Sequence, residues 1–234
     1  MSAGLKVQGL VSGYGETVVL DGISFEMPAG GTLAVLGRNG VGKTTLLTTL
    51  MGITTRHGGT IHLGDRRIET SPVYRRARLG LGYVPQEREI FASLTVDENI
   101  AVSQLPGGWS LDKVYDLFPR LKERRRNTGN RLSGGEQQML AVARALAGGP
   151  NVLLLDEPLE GLAPIVIEAL FEALIKIRDE SGLTIILIEQ KAELALAFAN
   201  DCIVIDRGKI VHSGPSHALK ADADLQAKLL GVGH

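Results

Sequence analysis

Residues Gly37 to Thr44 read Gly-Arg-Asn-Gly-Val-Gly-Lys-Thr and fill every fixed position of the phosphate-loop pattern G-x-x-x-x-G-K-[ST]. This octapeptide constrains the fold because it works only between a strand and a helix. The apolar run Thr32 to Leu36 before it suits a buried strand, and Thr45 to Met51 after it suits a helix. A turn so placed aims successive backbone N–H groups at phosphate oxygens, and the helix N-terminus adds partial positive charge. Gly37, Gly40 and Gly42 permit a close backbone approach that a Cβ would block. Lys43 can reach the β- and γ-phosphates of a nucleotide, and the Thr44 hydroxyl can ligate Mg²⁺. Asn39, Val41 and Thr45 complete the candidate phosphate-binding segment.

The 234 residues suffice for one large domain, or one domain with a subdomain. A net charge of −1 gives no whole-molecule attraction to nucleic acid or anionic lipid. The single cysteine, Cys202, excludes an internal disulfide framework and suits a reducing compartment; its apolar neighbours predict a buried thiol. The longest apolar runs, Val152 to Leu155 and Leu183 to Ile188, are strand-sized and fall far short of the ~18 residues that span a bilayer. The start of the chain lacks the basic-then-apolar layout of a signal peptide. These features predict a soluble cytoplasmic protein. The basic runs Arg75 to Arg78 and Lys122 to Arg126 lack interleaved aromatics, so they read as solvated helix faces rather than a nucleic-acid surface.

Pattern changes divide the chain. Leu5 to Val11 and Val18 to Phe25 are short apolar runs separated by glycine-containing turns. Gly59 to Leu63 and Arg66 to Ile68 flank Gly64-Asp65 as a hairpin would, and Leu81 to Val84 is a strand stopped by Pro85. From about Thr95 to Arg126 the pattern turns helical: Thr95 to Glu98 fits a capping box, and Leu111, Val114, Leu117, Phe118 and Leu121 recur at helical spacing. Helix and strand then alternate: Glu136 to Ala147 and Ile165 to Arg178 as helices, Val152 to Leu155 and Thr184 to Ile188 as strands. Such alternation predicts crossover connections and a parallel core sheet. Ile203 to Asp206 and Lys209 to Val211 read as a hairpin, and a final helix is expected over His217 to Leu230.

Two further segments carry chemistry. The apolar strand Val152 to Leu155 ends in Asp156-Glu157. Many strands end in acidic turns, but beside a phosphate loop Asp156 can hold Mg²⁺ and Glu157 can orient and deprotonate an attacking water. Leu132-Ser133-Gly134-Gly135-Glu136-Gln137-Gln138 opens a helix. Ser133 and Glu136 fit a capping box. The two glycines cost helix stability and make sense where phosphate must approach the backbone.

With these three segments in this order, the chain resembles the ATP-binding cassette (ABC) ATPases over essentially its whole length. The resemblance implies an α/β P-loop NTPase fold, the ABC cassette: a mainly parallel core sheet, an antiparallel β subdomain and an inserted helical subdomain. It implies one domain over 1–234, with 1–86 and 131–234 as nucleotide-binding core and about 87–130 as the helical, transporter-facing part. It implies ATP and Mg²⁺ as ligands. Tyr14, in Ser12-Gly13-Tyr14-Gly15, falls where such proteins stack an aromatic on adenine, although a lone tyrosine is also an ordinary turn residue. Gln86, after Tyr83-Val84-Pro85, matches the glutamine that touches Mg²⁺ or the attacking water. Ser133, Gly134 and Gly135 match the signature that closes over ATP held by another subunit. Glu157, Lys43, Gln86 and Gln190 are the implied catalytic set, and Thr44, Gln86 and Asp156 the implied metal ligands.

Two positions depart from the usual family pattern. Gln190 follows Ile188-Glu189 where a switch histidine is usual, and a neutral amide cannot carry positive charge. Ala163 stands where the loop after the catalytic glutamate usually ends in Asp. Glu160-Gly161-Leu162-Ala163-Pro164, Ile188-Glu189-Gln190 and Arg88 to Phe91 are similar to one ATPase subunit of branched-chain amino acid importers, and to the related urea and amide importers. That resemblance implies a second ABC ATPase subunit, separate transmembrane permease subunits, a solute-binding protein acting indirectly, no nucleic acid, and a place on the inner face of the cell membrane. The alternatives are another transporter's ATPase and a non-transport ABC protein. A P-loop kinase or GTPase is disfavoured by Ser133-Gly134-Gly135 and by the lack of an N-K-x-D segment.

Overall fold

A computed structural model describes residues 3–231 of the chain. The N-terminal part contains β1 (Leu5–Tyr14), β2 (Thr17–Met27), β3 (Thr32–Leu36), α1 (Lys43–Met51), β4 (Thr55–Leu63), β5 (Arg66–Arg67), α2 (Val73–Arg78) and β6 (Leu81–Val84). Three short helices follow, α3 (Val96–Ala101), α4 (Leu111–Leu117) and α5 (Pro119–Glu123), then α6 (Gly134–Ala147). The remainder alternates: β7 (Val152–Asp156), α7 (Pro164–Ser181), β8 (Thr184–Ile188), α8 (Ala192–Phe198), β9 (Asp201–Asp206), β10 (Lys209–Pro215), α9 (Ser216–Ala221) and α10 (Ala223–Leu230).

The strands form two sheets. β2-β1-β4-β5 is antiparallel; β10-β9-β3-β8-β7-β6 is parallel except for its β9–β10 hairpin. The six-stranded sheet divides the interior in two. In β3, Leu33 and Val35 face one core while Ala34 and Leu36 face the other; Val152 and Leu154 of β7 alternate likewise with Leu153 and Leu155. β3, β7 and β8 are buried along their whole lengths, which is why they read as unbroken apolar runs. One core is closed by α1 and the antiparallel sheet, the other by the helices from α3 onward.

The helical segment does not stand alone. Val96, Ile100, Val114, Phe118 and Leu121 share one buried cluster with Met139, Leu140 and Val142 of α6. The helical pattern from 111 to 121 is realised as two helices, because Pro119 restarts the chain at the first position of α5. The helix expected over His217 to Leu230 is also two, since the Asp222 carboxylate accepts the Leu225 N–H and caps α10.

In the first basic run Arg75 and Arg78 are exposed as expected, but Arg76 is not. Arg76 is 3% exposed. Its guanidinium donates to Thr49 O (2.8 Å) and Leu50 O (2.7 Å) at the end of α1, and to Glu69 O and Ser71 O (2.9 Å each). It supplies a donor to Leu50 O and a second donor to Thr49 O, which also accepts the Gly52 N–H, and lies at the negative end of the helix dipole. Replacing it with Met keeps much of the volume but withdraws these donors, so R76M is expected to lose about 2–3 kcal/mol in urea unfolding. A loss within experimental error would contradict this role.

Candidate active site

Four adjacent strands, in the order β3-β8-β7-β6, end at the same edge of the parallel sheet. Ligand-binding crevices of open α/β sheets form at such carboxyl ends. β3 runs into the 37–44 loop, β8 into Gln190, β7 into Asp156-Glu157 and β6 into Gln86. A cleft of about 330 Å³ opens there, lined by Asn39, Gly40, Gly42, Lys43, Thr44, Thr45, Gln86, Glu157, Glu160 and Gln190.

The loop needs glycine for local reasons. Gly37 has φ 145°, and a Cβ there would overlap Ile205 O. Gly42 has φ 109°, and a Cβ would come within 2.7 Å of Leu20 Cδ2. Both values lie where L side chains are strained. The resulting turn holds the Lys43 ammonium inside its own curve. Nζ donates to Gly37 O (3.0 Å) and Arg38 O (3.1 Å) and lies 3.6 Å from Glu157 Oε1. Both side chains of that ion pair are more than nine-tenths buried.

Asp156 is fully buried behind the cleft wall and accepts from Thr44 Oγ1 and from the Tyr83 hydroxyl, each at 3.2 Å. Burial pushes its carboxyl above the ordinary range, and the two hydroxyl bonds oppose that shift. Burial, reinforced by the Asp156 charge, holds the Tyr83 phenol protonated as the donor of that bond. Glu157 has φ 46°, in the left-handed region, and its N–H donates to Ile188 O at 3.0 Å. Such strain on a non-glycine residue marks functional sites.

Next to Glu157 the Gln190 amide nitrogen donates to Glu157 Oε2 (2.7 Å) and to Glu160 Oε1 (3.1 Å). The Gln86 amide donates to the other Glu160 oxygen. Glu189 is 3% exposed and accepts the Leu159 N–H at 2.9 Å. Burial lifts its pKa from an ordinary 4.5 to about 7, aided by the neighbouring Glu157 charge and opposed by the Leu159 bond. The folded chain therefore holds this proton between about pH 4.5 and 7 while the unfolded chain loses it, so stability falls as pH rises through that window. E189Q keeps an acceptor for Leu159 and cannot ionise. Relative to wild type it is expected to gain about 2–3 kcal/mol between pH 5 and pH 8 in urea unfolding. Parallel pH profiles would contradict this.

Several expected site residues lie elsewhere. Ser133, Gly134 and Gly135 do not line the cleft. Ser133 forms the capping box of α6, accepting the Glu136 N–H while Glu136 accepts the Ser133 N–H. Gly135 also has a reason within the chain, since a Cβ there would overlap Val166 of α7. Tyr14 sits half-exposed at the end of β1 and does not line the cleft, nor does Val41. Gly37 lines a neighbouring hollow that shares Asn39 and Gln190 with it. Tyr83, Glu160 and Glu189 join the site without having been expected. Their signals in the sequence are weak: a polar atom in a strand, and acids just past apolar runs.

A phosphate loop facing an Asp-Glu strand end, on the carboxyl edge of a parallel sheet with an added antiparallel sheet, defines a P-loop nucleotide-triphosphatase. Residues 20–160, well over half the chain, match the ABC transporter family, and the chain belongs to it. It is an ATPase of that family. The high-affinity branched-chain amino acid transport ATP-binding protein BraG of Pseudomonas aeruginosa is 40% identical over 227 residues, covering 93% of this chain and 95% of that protein. The probable branched-chain amino acid transport ATP-binding protein LivF of Archaeoglobus fulgidus is 34% identical, covering 97% and 99%. The lipopolysaccharide export system ATP-binding protein LptB of Escherichia coli is 33% identical, covering 98% of each. A nucleotide-free ATP-binding cassette superposes with TM-score 0.82 at 21% identity, covering 99% of this chain and 100% of that one. The dimeric, post-hydrolysis MJ0796 cassette bound to ADP and Pi gives TM-score 0.79 at 21% identity, covering 91% and 98%. Among the described residues no helix is long and apolar enough to cross a membrane.

Proposed function

We propose that this chain is the ATP-hydrolysing subunit of a branched-chain amino acid importer. It would act in the cytoplasm, on the inner face of the membrane, through separate permease subunits. The observation that carries the mechanism is the convergence of Lys43, Thr44, Gln86, Glu157 and Gln190 on one cleft, with Asp156 behind Thr44. The loop N–H groups and Lys43 bind the β- and γ-phosphates of ATP. Thr44 Oγ1 and Asp156 Oδ1, 3.2 Å apart, are hard oxygen donors that fit Mg²⁺, with Gln86 on the same cleft as a further candidate. When bound, Mg²⁺ supplies neutralising charge to the phosphates. Glu157 orients and deprotonates the attacking water. Tyr14 stacks on adenine.

The cleft of one chain lacks Ser133 to Gly135, which supports a head-to-tail pair. The signature of a second ABC ATPase subunit, the same or a different chain, would close over the γ-phosphate. ATP then favours the closed pair and hydrolysis releases it. Permease subunits docked on the helical layer, a part assigned to about residues 87–130, turn that cycle into transport of solute delivered by a binding protein. The solute reading leans on BraG and LivF; the 33% identity to LptB keeps other cargoes as the second reading. Deleting the gene in its source cell is expected to abolish high-affinity uptake of radiolabelled leucine, restored by wild type and not by E157Q. Unchanged leucine uptake with lost urea or amide uptake would move the assignment to those solutes.

A further inference from the structure

Among the described residues Glu160 is the one cleft-lining acid with no assigned part in hydrolysis, yet its two oxygens receive two different loops. Oε1 accepts from Gln190 after β8, and Oε2 from Gln86 after β6. Its own loop is held from below. The Glu160 N–H closes a turn onto Glu157 O at 3.1 Å, the Glu157 N–H binds Ile188 O, and the preceding Leu159 N–H binds the buried Glu189 carboxyl. Glu189 precedes Gln190 as Leu159 precedes Glu160, so the buried bond sets the register in which Gln190 meets Glu160.

The consequence concerns the face that Gln190 turns to a nucleotide. A primary amide has two N–H bonds and one carbonyl oxygen. Nε2 donates to Glu157 Oε2 and Glu160 Oε1, so both N–H bonds are directed to carboxylates and only Oε1 is left. We propose that Glu160 is a positioning residue that fixes Gln190 with its nitrogen toward the carboxylates, so that Gln190 serves hydrolysis as an acceptor for the attacking water and not as a donor to the γ-phosphate. Glu160 also ties the Gln86 loop to the same carboxylate, so one exposed acid sets both amides. This proposal rests on the ATPase reading of the cleft and adds to it a division of labour between Glu157 and Gln190.

Glu160 is exposed, so replacing it leaves the core intact. In the full-length chain, E160A is expected to lower kcat for ATP about tenfold while the Kd for a fluorescent ATP analogue changes less than about threefold, as for loss of a positioned group. E160Q should recover part of the rate, because its amide oxygen still accepts one N–H. In a Q190A background E160A should cost clearly less than its full loss of about tenfold, since the part that acts through Gln190 is already gone and only the Gln86 bond remains to be lost. In ¹⁵N-glutamine-labelled protein the Gln190 side-chain amide signal, assigned by its disappearance in Q190A, should shift in E160A. A wild-type rate for E160A, losses that multiply in E160A/Q190A, or an unmoved Gln190 signal would each overturn the proposal. Wild-type turnover in E157Q would instead overturn the reading of Glu157 as the general base, while the amide signal would still report on the Glu160–Gln190 bond.

Discussion

E157Q is expected to bind ATP with near wild-type affinity and to turn it over at least ~10²-fold more slowly, as follows from losing a positioned general base. The substitution is almost isosteric, and its amide oxygen can still accept from Gln190, so the strained turn at residue 157 and its bond to Ile188 O stay in place. What disappears is the carboxylate proposed to take a proton from water. With hydrolysis proposed to open the pair, the same variant is expected to accumulate as an ATP-bound dimer. Size-exclusion chromatography with ATP, beside a phosphate-release assay, reads both effects. Turnover equal to wild type would remove Glu157 from the mechanism.

K43A is expected to weaken ATP binding by about 10²-fold or more, with AMP binding far less affected, because the proposed place of Lys43 is on the β- and γ-phosphates. Its ammonium is already inside the loop, on Gly37 O and Arg38 O, and close to Glu157. Removing it leaves the buried Glu157 carboxylate with the neutral Gln190 amide in place of a cation and subtracts a positive charge that a triphosphate would meet. Equal ATP affinity in K43A and wild type, by titration calorimetry, would count against the phosphate-loop assignment. Both variants keep the sheet and the two cores, so loss of folding is not the expected cause.

The two variants concern residues that were legible because their chemistry is contiguous. The 37–44 loop and the Asp156-Glu157 strand end each carry strand, turn and functional group in a single short stretch. The mainly parallel sheet was legible for a related reason: β3, β7 and β8 are buried on both faces, so apolar runs alternating with helices stand out. What escaped depends on contacts distant in sequence. Glu189 reads as the acid that ends a strand, and its bond to Leu159 exists only because β7 and β8 are neighbours. Arg76 hides in a basic run, and its burial comes from carbonyls 26 and 27 residues earlier. The helix α8 was missed because it is barely two turns long and has no side-chain cap. The signature glycines show the opposite difficulty. Gly135 has a packing explanation in Val166, so its presence alone does not demonstrate a phosphate contact.

The claim on which the mechanism turns is that a triphosphate lies between the 37–44 loop of one subunit and residues 133–135 of its companion. Vanadate-dependent photocleavage of the chain in its assembled transporter, trapped with Mg²⁺ and ADP, tests this most directly, because cutting marks backbone beside the position of the γ-phosphate. The expected result is two groups of cuts, one within Gly37 to Thr44 and one at Ser133 to Gly135. Cuts confined to the loop, with residues 133–135 intact, would contradict the account.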